Sequence, residues 1–208
     1  MSHAAAIGEG ARAMGIELPA GASERLAEYL ELIAKWNRVH NLTAVRETSQ
    51  MVVLHVLDSL SLLPHVASAS TLLDVGTGAG LPGIPLAIAR PELMATLLDS
   101  SHKKCAFLRQ ARTELALDNT DVACERVEEW QPSRRYDVVV SRAFSELADF
   151  VAQAKHLVAP GGQLIAMKGV HPFDEIGRVP VSHRVARVLE LSVPNLEAKR
   201  HLVFLEAA

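Results

Sequence analysis

The stretch Asp74-Val75-Gly76-Thr77-Gly78-Ala79-Gly80-Leu81-Pro82-Gly83 follows the apolar run Thr71-Leu72-Leu73. It reads in two overlapping registers. Gly76, Gly78 and Gly80 make a GxGxG; Gly78, Gly80 and Gly83 make a GxGxxG. Glycines spaced this way after a strand let backbone N–H groups approach a ligand closely. Asp99 closes the apolar run 94–98, and Glu128 follows a third run at 121–127. Arg142, in Ser-Arg-Ala-Phe, and Lys168, in Met-Lys-Gly, follow two more. Ligands of open α/β sheets bind beyond the carboxyl ends of the strands. These residues therefore share one address if the runs before them are neighbouring parallel strands.

Three ligands compete for the loop. A nucleoside triphosphate fails, because no Gly-Lys-Ser/Thr follows to reach phosphates and hold magnesium. A dinucleotide pyrophosphate wants backbone N–H groups without a carboxylate nearby, yet Asp74 lies two residues before Gly76. S-Adenosylmethionine has no phosphate and carries a sulfonium and an ammonium. The D-x-G-x-G-x-G register of Asp74, Gly76, Gly78 and Gly80 favours that cation. Asp99, 19 residues beyond Gly80, is placed to accept hydrogen bonds from ribose hydroxyls. Both adenine ligands carry a ribose, so Asp99 does not discriminate. The bland alternative is a set of glycines that only turn a strand tightly. For Arg142 and Lys168 the corresponding alternative is a structural ion pair.

The elements that must position these residues form two segments. Residues 1–68 read as helical. Leu26, Leu30 and Ile33 share one face, with Tyr29 and Trp36 beside it and Ser23 as the expected N-cap. A polar break spans Asn37–Arg46, and a second helix is expected over 48–63, stopping near Pro64. The segment carries five bases against seven acids, so it is not a basic arm. Residues 69–208 alternate strand and helix. Strands are expected at 71–75, 94–99, 121–127, 136–143 and 162–168, and a helix at 146–158 closed by Pro160-Gly161-Gly162. This alternation predicts a doubly wound, mostly parallel sheet. Two adjacent β-rich runs, 185–193 and 200–207, put an antiparallel strand at its end.

The chain has 208 residues, 49% hydrophobic, enough for one well-packed unit. No apolar run approaches the length of a membrane span and no signal-like segment is visible, so no membrane partner and a cytoplasmic location are expected. Cys105 and Cys124 form no CxxC or Cys/His cluster. Both are expected reduced and buried, with no metal site and no activated thiolate. Lys103 and Lys104 are expected to face solvent, and Lys199-Arg200-His201 reads as a solvated basic run. His40, His55 and His65 read singly as satisfied or exposed histidines. A net charge of −3 and a pI near 6.3 argue mildly against nucleic acid as partner. They favour a small-molecule or protein substrate, unless a local basic patch serves RNA.

Seven stretches together resemble one family: 35–43 (KWNRVHNLT), 55–60 (HVLDSL), 74–87 (DVGTGAGLPGIPLA), 97–108 (LLDSSHKKCAFL), 141–144 (SRAF), 167–169 (MKG) and 200–203 (RHLV). They look like the bacterial small-subunit ribosomal RNA methyltransferase G family, once called glucose-inhibited division protein B. The glycine loop alone is generic to class I methyltransferases; its continuation into GLPGIPLA and the 35–43 stretch are specific. The resemblance implies a Rossmann-like methyltransferase domain with a seven-stranded sheet, one strand antiparallel. It also implies methylation of nitrogen-7 of one guanosine in 16S ribosomal RNA, from S-adenosylmethionine. If RNA is the substrate, the low charge predicts help from assembled or partly assembled small subunit, and a monomer is expected. Carried over, Gly76 and Leu81 would contact the cofactor, Val127 and Glu128 would lie by the adenine, and Arg142 would close the pocket. Leu54 stands where the family often has arginine, and Arg126-Val127-Glu128 stands where many members have Arg-Ala-Glu. Methylation at nitrogen-7 needs no general base, and none is visible; Arg142 and Lys168 are expected to orient the guanine or its phosphate.

Overall fold

The computed structural model describes residues 2–144 and 146–208. Seven strands form one sheet in the order β3-β2-β1-β4-β5-β7-β6. They are β1 (Thr71–Val75), β2 (Met94–Leu98), β3 (Thr120–Ala123), β4 (Tyr136–Ser141), β5 (Val158–Lys168), β6 (His183–Leu191) and β7 (Arg200–Ala207). The first five pair in parallel, and β7 runs antiparallel to both β5 and β6. The central strands read as unbroken apolar runs because helices cover both their faces; Leu72, Leu73, Val139, Val140 and Ile165 are fully buried. Parallel pairing brings the carboxyl ends of β1, β2, β4 and β5 to one end of the sheet.

Around the sheet lie α1 (His3–Ala13), α2 (Ala22–His40), α3 (Thr48–Met51), α4 (Asp58–Leu60), α5 (Gly83–Ala89), α6 (His102–Glu114), α7 (Leu147–Ala154) and α8 (Phe173–Ile176). None of these helices is long and apolar enough to cross a membrane. Ile7, Leu26, Tyr29, Ile33 and Leu57 from residues 1–68 share one buried cluster with Ile84, Leu97, Phe107 and Leu108. The N-terminal helices thus cover α5 and α6 and back the glycine loop. The Tyr29 hydroxyl donates to the Ala79 carbonyl at 2.6 Å, tying α2 directly to that loop.

Several boundaries differ from expectation. Gly21, not Ser23, occupies the N-cap of α2, in the left-handed region at φ 76°. The helix runs past Asn37 to His40, and Asn41 ends it with φ 46°. Asn37 can stay helical because it faces inward, where its carboxamide accepts from Thr43 N at 3.0 Å and donates to the Val45 carbonyl. The second helix is not uniform: a π-helical stretch, Val52–Leu57, joins α3 to α4, and a 3₁₀ turn at Leu63–His65 carries Pro64. Strand β3 stops at Ala123, so 124–127 leaves the sheet as a loop. Helix α7 ends at Ala154, and Pro160-Gly161-Gly162 lies within β5. The β4–β5 register shifts there between Tyr136 and Val138, and Gly161 takes φ 77°.

Candidate cofactor and substrate site

A cleft of about 400 Å³ opens at the carboxyl ends of β1, β2 and β4, within the size range of small-molecule sites. Val75, Gly76, Leu98, Asp99, Val127 and Glu128 are among its lining residues, with Ala143 and Phe144 opposite. The loop after β1 explains the floor. Gly76 has φ 67°, and a Cβ there would lie 2.7 Å from the Cβ of Ala143. Only glycine keeps that wall open without left-handed strain. Gly80, at φ 93°, faces the core instead; its Cβ would strike Ile84 Cδ1.

Two carboxylates set the loop, each differently from its expected role. Asp74 is fully buried. Its Oδ2 accepts from the Thr77 hydroxyl at 2.6 Å and from Gly83 N at 2.8 Å, bracing both ends of the glycine turn. Its Oδ1 has no hydrogen-bond partner. Burial raises its pKa to about 6, against the pull of those two hydrogen bonds and of the Arg142 charge. Any attraction for a cation therefore acts through the loop rather than by open contact. Asp99 lines the cleft, but its Oδ2 accepts from Gly78 N at 3.0 Å and its Oδ1 from Ser101 N at 2.9 Å. Lys104 faces the same Oδ2 at 3.4 Å while its side chain stays 40% exposed. With Gly78 N and Lys104 on Oδ2, it is Oδ1 that keeps a further lone pair for a ribose hydroxyl.

The titration of Asp74 has a signed consequence. Its folded pKa lies above the ordinary 3.8, so the native state binds more protons between the two values. The burial penalty is complete above pH 6 and fades as pH falls toward 4. Asp74→Asn keeps an acceptor for Gly83 N and Thr77 and removes the charge. The variant should melt higher than wild type at pH 7.5, the difference shrinking toward pH 4.5 in thermal scans. A difference independent of pH would contradict a buried, charged Asp74.

The structure separates the expected site residues into three groups. Gly76, Asp99, Val127 and Glu128 line the cleft. Gly78 joins them indirectly through Asp99, whereas Gly80 and Leu81 are buried beneath the turn in the apolar cluster of α2, α5 and α6. Glu128 is half-exposed and faces Arg126 at 3.5 Å. Arg142 and Lys168 stand apart from the cleft, each on an acid. Arg142 Nη2 lies 3.3 Å from Asp58 Oδ2, and Lys168 Nζ lies 2.8 Å from Glu175 Oε2 and 3.2 Å from the Phe144 carbonyl.

Asp58 is a residue the sequence reading missed. It is buried in α4 and also pairs with Arg200 Nε at 3.0 Å, so Arg200 is not the solvated cation its basic run suggested. His55, expected to be satisfied or exposed, is buried and satisfied at one nitrogen. Its Nε2 meets the Thr43 hydroxyl at 2.9 Å, its Nδ1 has no partner, and burial lowers its pKa. Nothing in composition signals the role of Asp58. The one hint is that 55–60 and 200–203 both belong to the stretches carrying the family resemblance. Cys105 is buried and its thiol is pushed up to about 12, first by burial. Cys124 is only partly buried, one residue past β3, correcting its expected burial. Cys105 is therefore not a poised nucleophile, while Cys124 Sγ lies 3.5 Å from His102 Nδ1.

Comparison with known proteins accords with this geometry. A family model described as rRNA small subunit methyltransferase G matches residues 22–203. Ribosomal RNA small subunit methyltransferase G of Methylobacillus flagellatus is 55% identical over 198 residues, covering 95% of each chain. That of Chromobacterium violaceum is 51% identical over 201 residues, covering 97% of this chain and 96% of the relative. Among solved structures, an O-methyltransferase from Bacillus cereus in complex with SAH superposes with a TM-score of 0.60. It is 17% identical and covers 87% of this chain and 91% of its own. TrmN from Thermus thermophilus gives 0.56 at 16% identity, over 72% of this chain and 48% of its own. These two likenesses speak to the fold.

Proposed function

Because the chain belongs to the rRNA small subunit methyltransferase G family, we propose that it methylates nitrogen-7 of one guanosine in 16S ribosomal RNA. The methyl comes from S-adenosylmethionine. The cleft suits that cofactor by its chemistry. Asp99 offers an acceptor for the ribose, Val127 an apolar wall for the adenine, and Gly76 a floor without a side chain. No lysine or magnesium-binding hydroxyl follows the loop to hold phosphates. Bound there, S-adenosylmethionine supplies an electrophilic methyl group.

The chain's own residues then have a limited task. Guanine nitrogen-7 presents an in-plane lone pair and has no proton to lose. No general base is needed, and orientation supplies much of the acceleration. Arg142 and Lys168 orient the guanine or its flanking phosphate from beside the cleft; Arg142, on Asp58, does not close the cofactor pocket as the resemblance implied. The observation that carries the RNA reading is a local cation cluster on a chain of net charge −3. Arg142 follows β4, Lys168 ends β5, and the antiparallel pairing sets Lys168 opposite His201, next to Arg200.

A substrate that is a small molecule or a protein is the second reading, favoured by the acidic N-terminal helices. Methyl-labelled S-adenosylmethionine separates the two when offered with small subunits from a strain lacking the enzyme. Label in RNA supports the first reading; label in protein or in small molecules supports the second.

Low overall charge also bears on the form of the substrate. The chain acts as a monomer on assembled or partly assembled small subunit, whose RNA shape makes up for weak attraction to phosphate. Assembled subunits should therefore be methylated faster than naked 16S RNA at equal concentration. Equal rates would refute this.

A further inference from the structure

The acid that holds two of the three cations comes from outside the sheet. Asp58 is 1% exposed and opens α4, in the N-terminal segment. Its Oδ1 receives Arg200 Nε at 3.0 Å, and its Oδ2 faces Arg142 Nη2 at 3.3 Å. Arg142 follows β4 and Arg200 opens β7, so the pair flanks β5, whose last residue is Lys168. A Cβ placed on Gly169 would lie 3.9 Å from Arg200 Nη1, which fixes that guanidinium beside the turn after Lys168. The two arginine side chains remain 26% and 21% exposed. Arg142 Nη1 is buried with no hydrogen-bond partner, an unused donor beside the ion pair, and Arg200 Nη1 donates to the Lys199 carbonyl at 3.0 Å.

Electrostatic attraction alone does not account for Asp58. Asp58, Arg142 and Arg200 together sum to one positive charge, and without the acid they would present two. A site built only to attract phosphate gains from leaving the carboxylate out. Burying an acid is costly unless it is fully paired. What one carboxylate shared by two guanidinium groups does supply is a fixed angle between their donor edges.

We propose that Asp58 is a positioning residue: it locks Arg142 and Arg200 into one orientation that grips oxygen acceptors of the RNA beside the target guanosine. This rests on the RNA reading given above. It also gives the N-terminal helical segment a part in substrate binding, besides covering α5 and α6.

The two accounts differ in sign. Asp58→Asn keeps the size and removes the charge. Kinetics with varied small subunits at saturating cofactor should show KM for the subunit raised by about tenfold, with cofactor affinity within about twofold of wild type. A charge-only role predicts a lower KM, and a lower or unchanged KM overturns the proposal. Added to the Arg142→Ala/Arg200→Ala double variant, Asp58→Asn should raise KM by less than about twofold; a full further tenfold rise would mean that it acts elsewhere. If Asp58→Asn does not fold, Arg200→Lys serves instead. It keeps the charge and loses the Nε donor, so wild-type KM in that variant overturns the proposal. Failure of the underlying RNA reading is told apart because the wild-type chain would then leave the subunit unlabelled.

Discussion

Arg142→Ala, assayed with small subunits at saturating S-adenosylmethionine, loses about 100-fold in kcat/KM, the scale at which misplacement of a reactant by about 1 Å is felt. The expectation follows from its place and two interactions. Arg142 sits at the end of β4, its Nη2 faces Asp58, and its charge lowers the pKa of Asp74 under the glycine loop. Removing it takes away a donor at the substrate edge and leaves Asp58 with Arg200 alone. Because nitrogen-7 loses no proton, the loss should not depend on pH between 7 and 9. A pH-dependent loss would point to acid–base chemistry, and wild-type turnover would remove Arg142 from the site. Lys168→Ala should show a smaller loss of the same kind. Its ammonium is held by Glu175 and the Phe144 carbonyl, so the variant also loosens the loop opposite the cofactor cleft.

Gly76→Ala carries the second large effect, on cofactor binding. Alanine at φ 67° costs about 1–2 kcal/mol in the left-handed region. The new Cβ would also stand 2.7 Å from Ala143 Cβ and must displace the loop that carries Arg142. A tenfold change in affinity is about 1.4 kcal/mol, so a rise in S-adenosylmethionine Kd of at least about tenfold is expected by calorimetric titration. Gly15→Ala is the control. Gly15 has φ 71°, and a Cβ there meets nothing within 4 Å. It should lower the melting temperature through strain and leave the cofactor Kd unchanged. Equal affinity of the Gly76 variant and wild type would mean that the cofactor does not lie against the floor of the cleft at Gly76.

The elements were legible where one physical signal dominated. Thr71–Val75, Met94–Leu98 and Tyr136–Ser141 are short apolar runs buried on both faces, so their assignment needed no knowledge of partners. The antiparallel end strand followed from two β-rich runs with no helix-length stretch between them, and β6 and β7 pair that way. Boundaries failed where a distant contact overrode local propensity. Asn37 reads as a helix breaker, but its carboxamide is occupied by Thr43 and Val45. Pro160 and Gly161 read as a stop, but they lie at the irregular start of β5.

The site was legible in kind and less so in arrangement. Three glycines and two carboxylates pointed to an adenine-bearing cofactor, and Gly76 and Asp99 do line a cleft. That Asp74 spends its Oδ2 inside the loop depends on where Gly83 N comes to rest, which spacing does not show. The pair of Asp58 and Arg200 joins residues 142 positions apart. No periodicity or local motif reports such a contact, because it is made by sheet topology and by the N-terminal helices folding over one end.

The chemical identity of the product tests the account most directly. Small subunits lacking the modification are incubated with the chain and methyl-labelled S-adenosylmethionine. The RNA is then digested to nucleosides and separated by chromatography. The account predicts that the label migrates as N7-methylguanosine, approaching one methyl per subunit, and maps to a single position in 16S RNA. Label on an exocyclic amine, on a ribose oxygen or on protein would contradict it.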